Sequence, residues 1–200
     1  MNLSTNHPQI ILASSSAIRR TLLENAGVGI LVRKPLSNEA IEKAAFEHDD
    51  AEQLAVSLAK VKALSIVEPA MIIIGADQTL SCGNMIFHKP ATHERAQQQL
   101  IELRGKTHRL HSGVACAQNG KIIWSHLDTA TLTMRDFSDP FLQTYMDIRG
   151  TDILNCVGCY QLENRGVQLF DKIDGDYFTI LGLPLLPLLA FLRKTGAIAA

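Results

Sequence analysis

An α/β fold built on a mixed sheet is the architecture this sequence predicts, and three observations carry the prediction. The short apolar runs Ile10-Ile11-Leu12-Ala13 and Met71-Ile72-Ile73-Ile74 have the length and composition of buried strands. Between such runs lie stretches whose apolar residues recur at helical spacing. Asn119-Gly120 separates two apolar segments and is a strong hairpin signal. Alternating strands and helices point to parallel pairing, and the hairpins add antiparallel pairs to the same sheet.

In chain order, residues 10–13 end in Ser14-Ser15-Ser16, a serine run suited to capping a helix over 17–25. Ile18, Leu22 and Ala26 share one face of that helix, and Gly27 suits the position just past its end. Residues 28–32 read as a strand and 34–38 as a turn-rich loop. A long helix is expected over 51–67, with Leu54, Leu58 and Val61 on one stripe and Pro69 beyond its end. The strand at 71–74 is expected to terminate at Gly75-Ala76-Asp77, with a small hairpin around Cys82-Gly83-Asn84. Thr92 caps a helix reaching 103. Strands at 109–118 and 121–124 flank Asn119-Gly120, and 129–134 continues them. Ser138-Asp139-Pro140 opens a helix through Met146, with proline in its first turn. Residues 166–170 and 176–181 read as strands, and 184–195 as the last helix.

With 200 residues, 46% of them hydrophobic and 20% charged, the chain can bury a sizeable core as a single domain over 1–200. The net charge of −1 lacks the bulk positive charge of a non-specific nucleic-acid binder. The first residues, MNLSTNHP, have neither the basic nor the apolar region of a secretory signal. The most apolar stretch, 180–192, is too short to span a bilayer and carries Pro184 and Pro187. The expected location is therefore cytoplasmic, with no membrane and no stable nucleic-acid partner, and a homodimer is compatible with the sequence. Cys82, Cys116, Cys156 and Cys159 are then expected as reduced thiols. The single CxxC at Cys156 and Cys159 lacks the second ligand pair of a structural zinc site.

Two segments have the pattern of ligand sites. In LASSSAIRR (12–20) a strand ends in serines and opens a helix, presenting hydroxyls and unpaired N–H groups that suit a phosphate. Taken alone, the serines are better explained by an ordinary N-cap. Arg19 and Arg20, however, oppose the macrodipole in the first turn and would be better tolerated beside a bound anion. In GADQT (75–79) an aspartate follows an apolar strand, where open α/β sheets place ligands. Asp77 can hold a metal or orient a water there, or it can be a turn aspartate. Glu39, Lys62, Lys89 and Glu163 are single charges near loops or helix edges, a setting in which surface solvation is the usual role. No Walker A, GxGxxG or Gly-x-Ser-x-Gly pattern is present.

Together these segments resemble the Maf family across nearly the whole chain. The resemblance rests on LASSSAIRRTLL (12–23), LAKVKA (58–63), IIIGADQT (72–79), HKP (88–90), LRGKTH (103–108), SGV (112–114) and GCYQLENRGVQLFDKIDGDYFTILGLPL (158–185). It implies a twisted mixed sheet flanked by helices, with two lobes around a deep cleft. The implied activity is nucleoside triphosphate hydrolysis to a monophosphate and pyrophosphate. Carried over by position, Ser14, Ser16 and Arg19 would bind phosphate, with Lys62 and Lys89 neutralising the triphosphate. Glu39 and Asp77 would gather a divalent Mg2+ or Mn2+ cation and the attacking water, with Asp77 as proton acceptor. Gln78 and Glu163 would lie in the base or metal region. Lysine and arginine are the donors a dense anion needs, and magnesium or manganese prefers carboxylate oxygens while bridging phosphates.

The family pattern S-x-S-P-R-R departs here, with Ala17 and Ile18 standing in place of proline and the first arginine. Gln78, Glu163 and a non-arginine at Ile18 are similar to the branch acting on 7-methyl-GTP, although that branch usually carries tryptophan where Ile18 stands. A house-cleaning pyrophosphatase for non-canonical or modified nucleotides and a 7-methyl-GTP-specific pyrophosphatase are thus both open. A non-catalytic nucleotide- or nucleic-acid-binding regulator of cell division is the alternative from another class.

Overall fold

A computed structural model describes residues 9–36 and 50–200. Among them, seven strands form one sheet: β1 (Ile10–Ala13), β2 (Ile30–Arg33), β3 (Ile72–Cys82), β4 (Met85–Phe87), β5 (Thr107–Gln118), β6 (Lys121–Met134) and β7 (Phe170–Asp174). The order is β2-β1-β3-β5-β6-β7, with β4 paired to the far part of β3. β1 runs parallel to both β2 and β3, whereas the remaining pairings are antiparallel. Every residue of β1 is buried, as expected of a short apolar strand with parallel neighbours on both sides. Asn119 and Gly120 both take positive φ and close the β5–β6 hairpin.

Among the described residues, six α-helices pack around the sheet: α1 (Ala17–Asn25), α2 (Ala51–Leu64), α3 (His93–Leu103), α4 (Asp139–Arg149), α5 (Tyr177–Ile180) and α6 (Leu185–Lys194). One core joins β1 and β3 to α1 and α6 through Leu12, Leu22, Leu23, Ile74, Leu188 and Leu192. On the opposite face, Ala59 and Ala63 of α2 meet Ile11, Ile73 and Ala115. A further core gathers Leu80, Leu100, Leu110, Leu132, Phe137 and Tyr145 at the other end of the long strands. None of the described helices is long and apolar enough to cross a membrane.

Among the boundaries that differ from the sequence reading, four have a physical reason in the packing or capping. Gly75-Ala76-Asp77 does not end a strand, because β3 continues through it to Cys82 and pairs with β5 throughout. Gly75 is a packing glycine. A Cβ there would lie 2.2 Å from the Ala59 carbonyl oxygen, and one at Gly113 would lie 2.5 Å from that of Ala55. The α2 backbone therefore rests directly on β3 and β5. That helix stops at Leu64 rather than 67, where Ser65 Oγ bonds the Lys62 carbonyl. Residues 165–169 form a 3-10 turn and the strand starts only at Phe170, since Gly166 is pressed against the Gln161 backbone. Residues 177–180 are helical, not extended, because Asp176 caps them through a 2.9 Å bond to the Thr179 N–H.

Candidate active site

A cavity of about 490 Å³ opens at the junction of the cores. Ile18 and Leu181, on one side, belong to the core around β1, while Leu110, Val157 and Tyr160 belong to the core at the far strand ends. Ser14, Ser16, Arg19, Lys62, Asp77, Gln78, Lys89 and Glu163 all line it. The structure thus brings together every candidate from the sequence except Glu39, which lies outside the described residues.

The wall nearest β1 is the serine turn. Ser14 is buried, and its Oγ accepts from Ser16 N at 3.1 Å. Ser16 caps α1, its Oγ accepting from Arg19 N at 3.5 Å. The start of α1, with Ala17 and Ile18, faces the cavity. Such a terminus presents N–H groups and a positive partial charge.

Both arginines of the first turn have protein partners, and only Arg19 lines the cavity. Arg20 pairs with Glu24 at 2.7 Å on the exposed face. Arg19 is buried, and it donates from Nε to the Gly182 carbonyl and from Nη1 to the Ala76 carbonyl, both at 2.7 Å. It clamps β3 to the segment after α5 while still lining the cavity. Gln78 makes a similar tether. Its Nε2 lies within 2.9 Å of Ser112 Oγ, 3.1 Å of the Thr179 carbonyl and 3.0 Å of the Ile180 carbonyl. Ser112 Oγ adds a 2.7 Å bond to the Thr179 carbonyl. Three side chains from three elements therefore hold the carbonyls of Thr179, Ile180 and Gly182, and with them Ile180 and Leu181 in the cavity wall. This use of Ser112 and Thr179 leaves no trace in local pattern, because the partners are 67 residues apart.

At the base lies a buried ion pair, with Lys62 Nζ 2.8 Å from Asp77 Oδ1 and side chains only 6% and 8% exposed. Taking two charges out of water is costly and is tolerated when the pair is tightly bonded. The pair forms because α2 sits against Gly75 and Gly113. Lys62, one residue before the contacting Ala63, reaches the strand at Asp77.

The opposite wall comes from the 3-10 turns at Gly150–Asn155 and Val157–Cys159 and the chain after them. It contributes Asn155, Cys156, Val157, Tyr160, Gln161, Leu162 and Glu163. Lys89 and Glu163 are exposed at the rim. Burial pushes the Cys156 thiol up and the nearby Glu163 charge adds to this, while a Gln161 hydrogen bond, Lys89 and Arg149 act the other way. Cys156 is therefore a neutral wall residue.

Among the described residues, no group of three or more His, Cys, Asp or Glu is arranged to hold a metal ion. Among the described residues, Asp77 alone offers a buried carboxylate in the cavity lining. That donor set fits a hard cation of the magnesium type, which commonly binds one or two carboxylates and completes its shell from substrate phosphates and water. It does not fit an all-protein cage.

Residues 9–195 match the family described as Maf-like protein. The chain belongs to that family. This Maf-like protein is 46% identical over 194 residues to the 7-methyl-GTP pyrophosphatase of Brucella abortus biovar 1, covering 95% of this chain and 98% of that one. It is 45% identical over 192 residues to the nucleoside triphosphate pyrophosphatase of Caulobacter vibrioides, covering 94% and 96%. A solved structure, described as that of a HAM1 protein from Coxiella burnetii, aligns with a TM-score of 0.42 at 15% identity, over 65% of this chain and 74% of that chain.

Proposed function

We propose that this Maf-like protein, acting as one catalytic domain, hydrolyses a nucleoside triphosphate to the monophosphate and pyrophosphate. The observation that carries the reading is the Lys62–Asp77 pair at the base of a cavity that is also lined by the serine turn, Lys89 and Glu163. A carboxylate able to receive a proton lies beside cationic and N–H donors that suit a polyphosphate. Ser14, Ser16 and the first turn of α1 would hold phosphate oxygens, with Lys89 neutralising charge from the opposite rim. Lys62 would hold Asp77 in place and share its charge with the phosphates. Water attacks the α phosphorus, its proton passes to Asp77, and pyrophosphate leaves. Asp77, with Glu39, would hold a magnesium or manganese ion, which supplies charge neutralisation and polarises the attacking water.

A guanine-type base, including 7-methylguanine, is the favoured substrate class. Glu163, an acceptor when ionised, can receive the N1–H and N2 amine of such a base. Incubation of GTP, 7-methyl-GTP, dTTP and UTP with Mg2+ or Mn2+ tests the reading. Pyrophosphate and monophosphate are expected, fastest from the guanine nucleotides. Diphosphate plus orthophosphate as the only products would refute the assigned bond. Faster turnover of dTTP or UTP would refute the base.

A further inference from the structure

Gln161 lines the cavity two residues before Glu163. Its Oε1 accepts a hydrogen bond from Arg149 Nη2 and a second, at 3.2 Å, from Asn164 Nδ2. A carboxamide has an acceptor end and a donor end, and its rotamer alone does not say which faces a ligand. Arginine settles the question chemically, because guanidinium has donors only. Whatever end of Gln161 meets Arg149 must be the oxygen. The NH2 end is thereby left to the other side, where one N–H donates to Cys156 and the second remains for the cavity that both residues line. Arg149 is itself held, its side chain 11% exposed and its Nη2 3.4 Å from Asp152 Oδ2. The wall thus presents a fixed donor at Gln161 and a carboxylate acceptor at Glu163, and the apolar Val157 and Leu162 line the same cavity.

We propose that Gln161 determines base specificity by donating to the O6 carbonyl of a guanine-type base whose N1–H and N2 face Glu163, and that Arg149 is the positioning residue that keeps Gln161 a donor. A donor next to an acceptor is complementary to the O6/N1–H edge of guanine. It mismatches adenine, which presents an amine and then a bare nitrogen in the same order. The inference rests on the pyrophosphatase reading for its substrate, and the measurements below separate the two.

The probes are GTP, ITP and 6-thio-GTP. ITP keeps O6 and N1–H but lacks the N2 amine, whereas 6-thio-GTP keeps N1–H and N2 and replaces O6 by the weaker acceptor sulfur. Both kcat/KM for pyrophosphate release and calorimetric Kd are measured. The native protein is expected to favour GTP over 6-thio-GTP about tenfold, the scale of one hydrogen bond. Gln161→Leu is expected to bring that ratio to about one, raising KM for GTP and ITP alike. Arg149→Met is expected to do the same by letting the amide turn, and Arg149→Lys, which keeps a donor, to restore the ratio. A purely structural role for either residue would weaken all three nucleotides equally and leave the ratio intact. Pyrophosphate release with a ratio that Gln161→Leu leaves unchanged, or a native protein that treats GTP and 6-thio-GTP alike, overturns the proposal. No pyrophosphate from any triphosphate, with calorimetric binding that still separates GTP from 6-thio-GTP, sinks the pyrophosphatase reading and leaves the role of Gln161 standing.

Discussion

Asp77 and Arg19 sit about 3 Å from an opposite charge or from carbonyls in a buried setting, yet substitution at each has a different consequence. Asp77→Asn keeps the side-chain volume and one oxygen to accept from Lys62, so the fold should hold. It removes the basicity needed to take a proton from water and the charge that attracts a cation. A loss of 10²–10⁴-fold or more in kcat is expected from the missing base, with a thermal midpoint within a few degrees of the native protein. A folded variant keeping more than about a tenth of the rate would remove Asp77 from the mechanism. Arg19→Ala instead leaves the Gly182 carbonyl without its guanidinium donor in the interior, and the Ala76 carbonyl with Lys62 Nζ at 3.5 Å in place of a 2.7 Å bond. Hydrogen bonds from a charged donor contribute about 1.5–3 kcal/mol each, so denaturant titration should show a loss of about 3–5 kcal/mol. Arg20→Ala removes only an exposed pair with Glu24 and should cost about 0.5 kcal/mol or less. Equal stability losses from the two would show that the clamp contributes nothing.

α2 depends on an absence of side chains beneath it. An added Cβ at Gly75 meets backbone atoms of Ala59 and Ala63, which cannot swing aside as a flexible side chain would. Gly75→Ala is therefore expected to lift the helix from β3, at a cost of about 1–3 kcal/mol or more. It should also lower kcat, because Lys62 rides on that helix. Stability and kcat measured on one sample check this, and unchanged values for both would mean that α2 does not lie where described. The same glycine shows where sequence reading stops. Residues 10–13, 17–25 and 93–103 were legible because strand apolarity and serine or threonine caps are local signals. Gly75 looked like a strand end because glycine punctuates turns as readily as it admits a packed helix. Residues 176–181 looked like a strand because Asp176 was read as part of the segment rather than as its cap, and the anchors, Gln78 and Ser112, lie far away in sequence. The site was legible as a set of residues through resemblance. The division of labour within it was not, since that Arg19 and Gln78 tether backbone is written only in long-range contacts.

Across the whole molecule, the packing that encloses the cavity also fixes the response to acid. His108 is 1% exposed in the core at the far strand ends, with Nε2 2.8 Å from Tyr160 Oη and its ring near Phe170. Burial holds its pKa down at about 4, against an ordinary value of 6.5. His111 is shifted the same way by burial, with Glu52 opposing. Between pH 4 and 6.5 the unfolded chain therefore binds a proton at residue 108 that the folded chain does not. Stability rises with pH wherever the unfolded state holds more protons. The contribution is fully present above pH 6.5 and is lost progressively as pH falls toward 4, amounting to about 3 kcal/mol for a shift of this size. His108→Gln keeps an acceptor for the Tyr160 hydroxyl and removes the titration. Unfolding free energies of both proteins, measured by denaturant from pH 7.5 to 4, should diverge in slope below pH 6.5, the variant being flatter and retaining only what His111 and the carboxylates add. Tyr160 lines the cavity, so the native protein should lose substrate affinity along with stability at the acidic end. Parallel slopes would show that His108 stays neutral in neither state's favour and that the acid sensitivity arises elsewhere.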